Sequence, residues 1–83
     1  MKIKFHPHAL ERISQRGATE EQVTETIKSG EHFEAKFGRT GFRRNFIFDK
    51  YRHEKYYRNI QVEVYAVKEN DSWLVISVIT KFF

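Results

Sequence analysis

The spacing of apolar residues changes along the chain from a helical repeat to alternation. Near the N-terminus, Ala9 and Ile13 are separated as on one face of an amphipathic helix, which we predict over residues 7–15. Pro7 suits the first position of this helix because its missing N–H would have no partner there. Gly17 can end the helix in a left-handed conformation.

A second helix is predicted after this glycine. Thr19 and Gln22 have the spacing of a capping box, in which each side chain accepts a hydrogen bond from the other residue's backbone. Val23 and Ile27 mark the buried face, and Gly30 ends the helix. The two helices, joined by a short connection, should form an N-terminal helical hairpin.

The rest of the chain shows the two-residue period of β-strands. We predict strands at residues 33–37, 42–48, 61–67 and 73–83, with a turn at the Gly-Arg-Thr-Gly stretch. The last segment is apolar on both faces, which is typical of an interior strand. Residues 49–59 show no clear period, and we predict an exposed loop or a frayed strand end.

Helices followed by strands favour an α+β fold. We expect the helical hairpin to pack on one face of an antiparallel sheet of about four strands, in a single domain spanning residues 1–83. The chain has no cysteine and no histidine spacing typical of zinc sites, so we expect neither a metal nor another cofactor. No apolar run approaches the roughly 20 residues that cross a bilayer, so we expect a cytoplasmic protein without a membrane partner.

Positive charge is concentrated in the middle of the chain. The formal net charge is +4, and residues 36–58 contain eight lysines and arginines against two acidic residues. A basic stripe is typical of proteins that bind phosphate groups, and tyrosines among the cations could stack on bases. The candidate nucleic-acid-binding residues are Arg39, Arg43, Arg44, Arg52, Lys55, Arg58 and Tyr57.

A second candidate site lies on the first predicted helix. His8, Arg12 and Arg16 are spaced four residues apart, so they should form one ridge along that helix. Metal-free RNA cleavage needs groups that move protons and cations that hold the phosphate as its charge builds. Imidazole suits the first role, and the forked guanidinium group suits the second.

The stretches HALERISQRGATEEQV, at residues 8–23, and VISVIT, at residues 75–80, resemble the bacterial family of domain of unknown function 4258. The resemblance implies that His8, Arg12 and Arg16 are motif positions and adds Thr80 on the last strand, which completes our candidate catalytic set. Many relatives place an aromatic residue soon after that threonine, whereas this chain has Lys81 before its aromatic residue. The family's plan is also similar to that of the RelE, ParE and BrnT toxins.

Together these features predict a toxin-like protein that binds RNA or the ribosome. It would be a metal-independent ribonuclease of a toxin–antitoxin pair if it is catalytic, which the sequence leaves open. The alternative is a non-enzymatic module that binds an acidic, antitoxin-like protein partner. In that case the ridge would be structural, with Arg12 and Arg16 holding the helices to the sheet.

Overall fold

A computed structural model describes residues 2–83, which form a mixed α+β fold with two helices and one five-stranded sheet. In chain order the elements are β1 (Lys2–Phe5), α1 (Pro7–Gln15), α2 (Glu20–Ser29), β2 (Glu31–Glu34), β3 (Thr40–Arg52), β4 (Lys55–Glu69) and β5 (Ser72–Phe82). None of these helices is both long and apolar enough to cross a membrane.

The helices begin and end where local signals predict. Pro7 opens α1, and Gly17 follows it with a φ of 74°, in the left-handed region that favours glycine. Thr19 caps α2, and its capping box with Gln22 contains two hydrogen bonds of 3.0 Å. Gly30 ends α2 as predicted.

The sheet contains one strand more than expected. Its strand order is β1-β5-β4-β3-β2, with β1 parallel to β5 and all other neighbours antiparallel. The prediction of about four strands was therefore wrong, and the helical hairpin is not N-terminal because β1 precedes it. The short β1 is ordered by pairing with a strand about 70 residues away, with Lys2 opposite Ser72.

The segment at residues 49–59, predicted as an exposed loop or a frayed strand end, is a hairpin. β3 continues through Arg52 and β4 starts at Lys55, with only His53 and Glu54 between them, at φ values of 51° and 68°. We call residues 49–58 the β3–β4 arm. Of the two predicted alternatives, the exposed loop was wrong and the strand end was closer, because backbone pairing in a hairpin does not require apolar side chains at alternate positions.

Strand β2 lies two to three residues earlier in the chain than the predicted strand at residues 33–37. It ends at Glu34, and the chain then reverses at Phe37 and Gly38, which have φ values of 63° and 70°. β3 begins at Thr40. The turn was therefore predicted at residues 38–41, about two residues too close to the C-terminus.

The core lies between the helices and one face of the sheet. Val62, Val64 and Val78 point from β4 and β5 into this layer, where they meet buried residues such as Ala9 of α1 and Val23 of α2. α1 packs against β5, and α2 packs against β3 and β4. The helices therefore cover one face, as predicted, and leave the opposite face of the sheet open.

Candidate nucleic-acid interface beside helix α1

His8 and Arg12 lie on α1 with their side chains available for contacts. The exposed His8 is in the first turn, where its backbone N–H donates to Nδ1 of the N-cap residue His6 at 3.1 Å. The two imidazole rings are edge to face, with 6.5 Å between their centroids. Among residues 2–83, neither the His8 side chain nor the half-buried Arg12 guanidinium has a hydrogen-bond or ion-pair partner.

Arg16 and Thr80 instead join α1 to the sheet. The Thr80 hydroxyl donates to the main-chain carbonyl of Arg16 at 2.8 Å, and the Arg16 guanidinium donates to the carbonyl of Val78. We call these two hydrogen bonds the α1–β5 clasp. Both side chains are half-buried. Two of the four residues predicted as catalytic therefore have a structural use, through hydrogen bonds to the backbone rather than to acidic side chains.

The β3–β4 arm meets α1 at the helix C-terminus. Arg52 donates from Nη2 to the carbonyl of Gln15 at 3.1 Å, and its guanidinium carbon lies 4.8 Å from the centre of the Phe82 ring. A Cβ atom on Gly17 would lie only 2.6 Å from Nη1 of Arg52. A cation is favourable here because the C-terminus is the negative end of the helix dipole.

One side of the arm combines cations with an aromatic floor. Together with the adjoining Phe48 of β3 and Phe82 of β5, the residues on this side form what we call the cation–aromatic face: Phe48, Lys50, Arg52, Lys55, Tyr57 and Phe82. Phe82 packs on Phe48 and Tyr57 at centroid distances of 5.0 and 5.6 Å. Lys50 lies over Phe48 and Lys55 over Tyr57, each with Nζ 5.6 Å from the ring centroid. The aromatic residue that follows Lys81 thus forms part of this floor beside the α1 motif.

Two other predicted cations lie on opposite faces of the sheet. Arg43 reaches Glu31 at 3.0 Å and Glu63 at 3.3 Å on the open face, whereas Arg44 reaches Glu25 of α2 at 3.3 Å. Adjacent strand residues must point in opposite directions, so the two arginines cannot serve one surface. Their carboxylate partners also neutralise part of their positive charge, which weakens the attraction of these arginines for a polyanion.

Arg58 belongs to the other side of the arm. Its Nε lies 3.9 Å from the carboxylate of Asp49, and that carboxylate also accepts a hydrogen bond of 2.8 Å from the Tyr56 hydroxyl. This hydrogen bond is the largest of the causes that raise the pKa of Tyr56 above its ordinary value. Tyr51 packs on Tyr56 with ring centroids 5.4 Å apart.

The structure thus brings together Arg52, Lys55 and Tyr57 from the predicted nucleic-acid set. Arg39 lies elsewhere, beside the turn that joins β2 to β3. Sequence reasoning missed Lys50, and it missed the aromatic floor beneath this residue. No sequence signal marked this face, because the pairing of β3 with β4 shifts register between Ile47 and Lys50 and so interrupts the regular alternation.

The chain belongs to the family described as domain of unknown function 4258 (DUF4258), whose model matches residues 5–80. This match confirms the family that the motifs indicated. It includes α1 with its His/Arg ridge, and it extends along β5 to Thr80 of the clasp. No curated protein and no solved structure matches the chain. The relationship to the RelE, ParE and BrnT toxins stays a prediction.

Proposed function

We propose that this protein binds single-stranded RNA along α1 and the adjoining cation–aromatic face of the arm. One observation carries the proposal: Lys50, Arg52 and Lys55 share one face above aromatic rings. None of the three has a carboxylate partner within residues 2–83. Their charge is therefore available to phosphate groups, unlike that of Arg43 and Arg44.

The chemistry of this face suits a single strand better than a duplex. Single-strand binders combine cations that follow the phosphate backbone with aromatic rings on which unpaired bases stack. Tyr57 is half-buried beside Phe82, and the flexible Lys55 side chain lies over its ring, so a base could stack there if that side chain moves to a phosphate. Arg12, about 6 Å along α1 from the helix end, would extend the cationic path toward His8.

The proposal predicts how affinity depends on salt. Replacing Lys50 and Lys55 together by glutamine should weaken binding of a labelled single-stranded RNA in fluorescence anisotropy. If each lysine contacts one phosphate, the slope of log affinity against log salt should fall by about 0.7 per lysine, or about 1.4 in total. Arg52 is left intact because it also contacts the end of α1.

A control variant with the same net charge tests whether RNA binding depends on this face or only on the overall positive charge of the protein. Lys4 and Lys28 are exposed and lie on β1 and α2, away from the arm. Replacing both by glutamine should lower the slope much less than the arm double substitution. Equal losses from the two double variants would contradict a defined site, and so would an absence of RNA binding by the wild-type protein at low salt.

A ribonuclease step at the same surface is a second candidate function. It is favoured by the exposed His8 imidazole on the same helix as Arg12, both without polar side-chain partners among residues 2–83. In this scheme the 2′-hydroxyl oxygen attacks the phosphorus while His8 accepts its proton, and the 5′-oxygen leaves and takes a proton from water. Arg12 holds the phosphate, while Arg16 and Thr80 keep α1 in position. Such a protein would act as a toxin that cleaves RNA without a metal.

Cleavage should persist in a metal chelator and should be lost in His8→Gln, with RNA binding retained. His32→Gln is the control because His32 is also exposed but lies on β2. Expression of the wild-type protein should slow growth, and expression of His8→Gln should not. Wild-type rates of cleavage in His8→Gln would exclude His8 as the proton-transfer group, and an inert wild-type protein would leave binding as the only function.

A further inference from the structure

The turn between β2 and β3 exposes an aromatic residue in an unfavourable backbone conformation. Phe37 has a φ of 63° and is 88% exposed. The turn is closed by a hydrogen bond of 3.0 Å from the Ala35 N–H to the Arg39 carbonyl. Asparagine or glycine would form this turn without the steric cost that a bulky side chain meets at positive φ. Neither the turn nor the core therefore explains why phenylalanine occupies this position.

An apolar groove lies beside Phe37 on the open face of the sheet. Its volume is about 480 Å³, and its floor is formed by Phe33, Tyr65 and Ile79, the last of which is 44% exposed. The Phe33 and Tyr65 rings pack edge to face at a centroid distance of 6.2 Å. The ring of Phe33 also lies directly over Gly41, where a Cβ atom would overlap it. The floor is therefore already in place before anything binds.

The rim of this groove carries net positive charge. Lys36 and Arg39 line it, and neither has a carboxylate partner within the described range 2–83. Among the described residues that line the groove, Glu34 alone is acidic. A second copy of this chain, with its net charge of +4, would be repelled. Charge complementarity instead favours an acidic occupant.

We propose that this groove is the docking site for an acidic peptide segment of another protein. An apolar side chain of that segment inserts between Phe37 and the floor, and flanking carboxylates contact Lys36 and Arg39. An exposed aromatic residue at the edge of a preformed pocket has the character of a binding hot spot. The site is independent of the proposed RNA surface because it lies on the opposite face of the sheet.

The probe is a random peptide library selected on the immobilised full-length chain. Enriched peptides should contain acidic residues around an aromatic or branched apolar residue. In fluorescence anisotropy, Phe37→Asn should weaken their binding at least about tenfold, as expected for the loss of an aromatic anchor. This variant should melt at or above the wild-type temperature, because asparagine tolerates positive φ.

Two further variants sharpen the test. Arg39→Glu should weaken the same peptides and reduce the salt dependence of their binding. Ile47→Asn is the matched control, since Ile47 is 80% exposed and lies about 20 Å away along β3. It should leave peptide affinity unchanged.

Several outcomes would overturn the proposal. One is a selection that enriches no peptides or enriches basic ones, and another is wild-type affinity in Phe37→Asn. Loss of single-stranded RNA binding in Phe37→Asn with peptide binding intact would make the groove a base-binding site instead. A dimer in sedimentation that Phe37→Asn dissociates would make it a self-association surface.

Discussion

Replacing Thr80 by valine tests whether the α1–β5 clasp is structural. The substitution removes the hydroxyl that donates to the Arg16 carbonyl, and it keeps a β-branched side chain of similar shape on β5. The second hydrogen bond of the clasp, from the Arg16 guanidinium to Val78, uses other atoms and can remain. Arg16→Met removes that second hydrogen bond while it keeps most of the aliphatic stem.

The expected cost follows from the environment of the carbonyl. A lost hydrogen bond removes about 1 kcal/mol of net stability, and a carbonyl left without a partner adds about 1 kcal/mol where water cannot replace the donor. Because the site is half-buried, Thr80→Val should lower the free energy of unfolding by about 1–2 kcal/mol. For a domain of this size, such a loss lowers the melting temperature by roughly 5–15 °C.

Urea denaturation followed by circular dichroism measures this free energy directly. Thr24→Val is the control, since Thr24 lies on α2 without a side-chain hydrogen bond among the described residues and should change stability by less than about 0.5 kcal/mol. If Thr80→Val and Arg16→Met both unfold like the wild-type protein, the clasp contributes nothing. Arg16 and Thr80 would then return as candidates for the chemistry at α1.

Two further predictions concern glycine and tyrosine. Gly17→Ala should destabilise the fold more than Gly38→Ala in the same denaturation assay. Both positions have positive φ, but they differ in what surrounds them. At Gly17 the new Cβ would meet Arg52, whereas Gly38 faces open space. Equal losses of stability would show that the Arg52 contact does not matter. Asp49→Asn should lower the pKa of Tyr56 because the carboxylate that accepts its hydrogen bond raises that pKa. In an ultraviolet titration of tyrosinate the variant should ionise at lower pH, and an unshifted titration would contradict the assigned cause.

The helices could be predicted closely because their signals are local. Pro7 and Gly17 bound α1, and Thr19 with Gln22 defines the start of α2, all within a few residues of sequence. The β3–β4 arm could not be recognised in this way. Its strands are held by pairing with each other, and tyrosines and charged residues hide the apolar alternation on which strand prediction depends.

In the candidate site, too, local features could be predicted from the sequence and long-range contacts could not. That Arg43 and Arg44 point to opposite faces follows from the period of a strand and could have been predicted. The contacts of Arg16 with Val78 and of Arg52 with Gln15 join residues far apart in the sequence. No spacing rule connects those pairs, so the structural use of Arg16 became visible only in the folded chain.

The parallel pairing of β1 with β5 has a consequence for how the chain folds as it is made. Ribosomes extend a chain by about 5–20 residues each second, so β1 emerges several seconds before the strand beside which it must lie. During that interval Ile3 and Phe5 have no partner strand and remain available to other apolar surfaces. Completion of the sheet therefore has to follow translation of β5, which secures a strand made about 70 residues earlier.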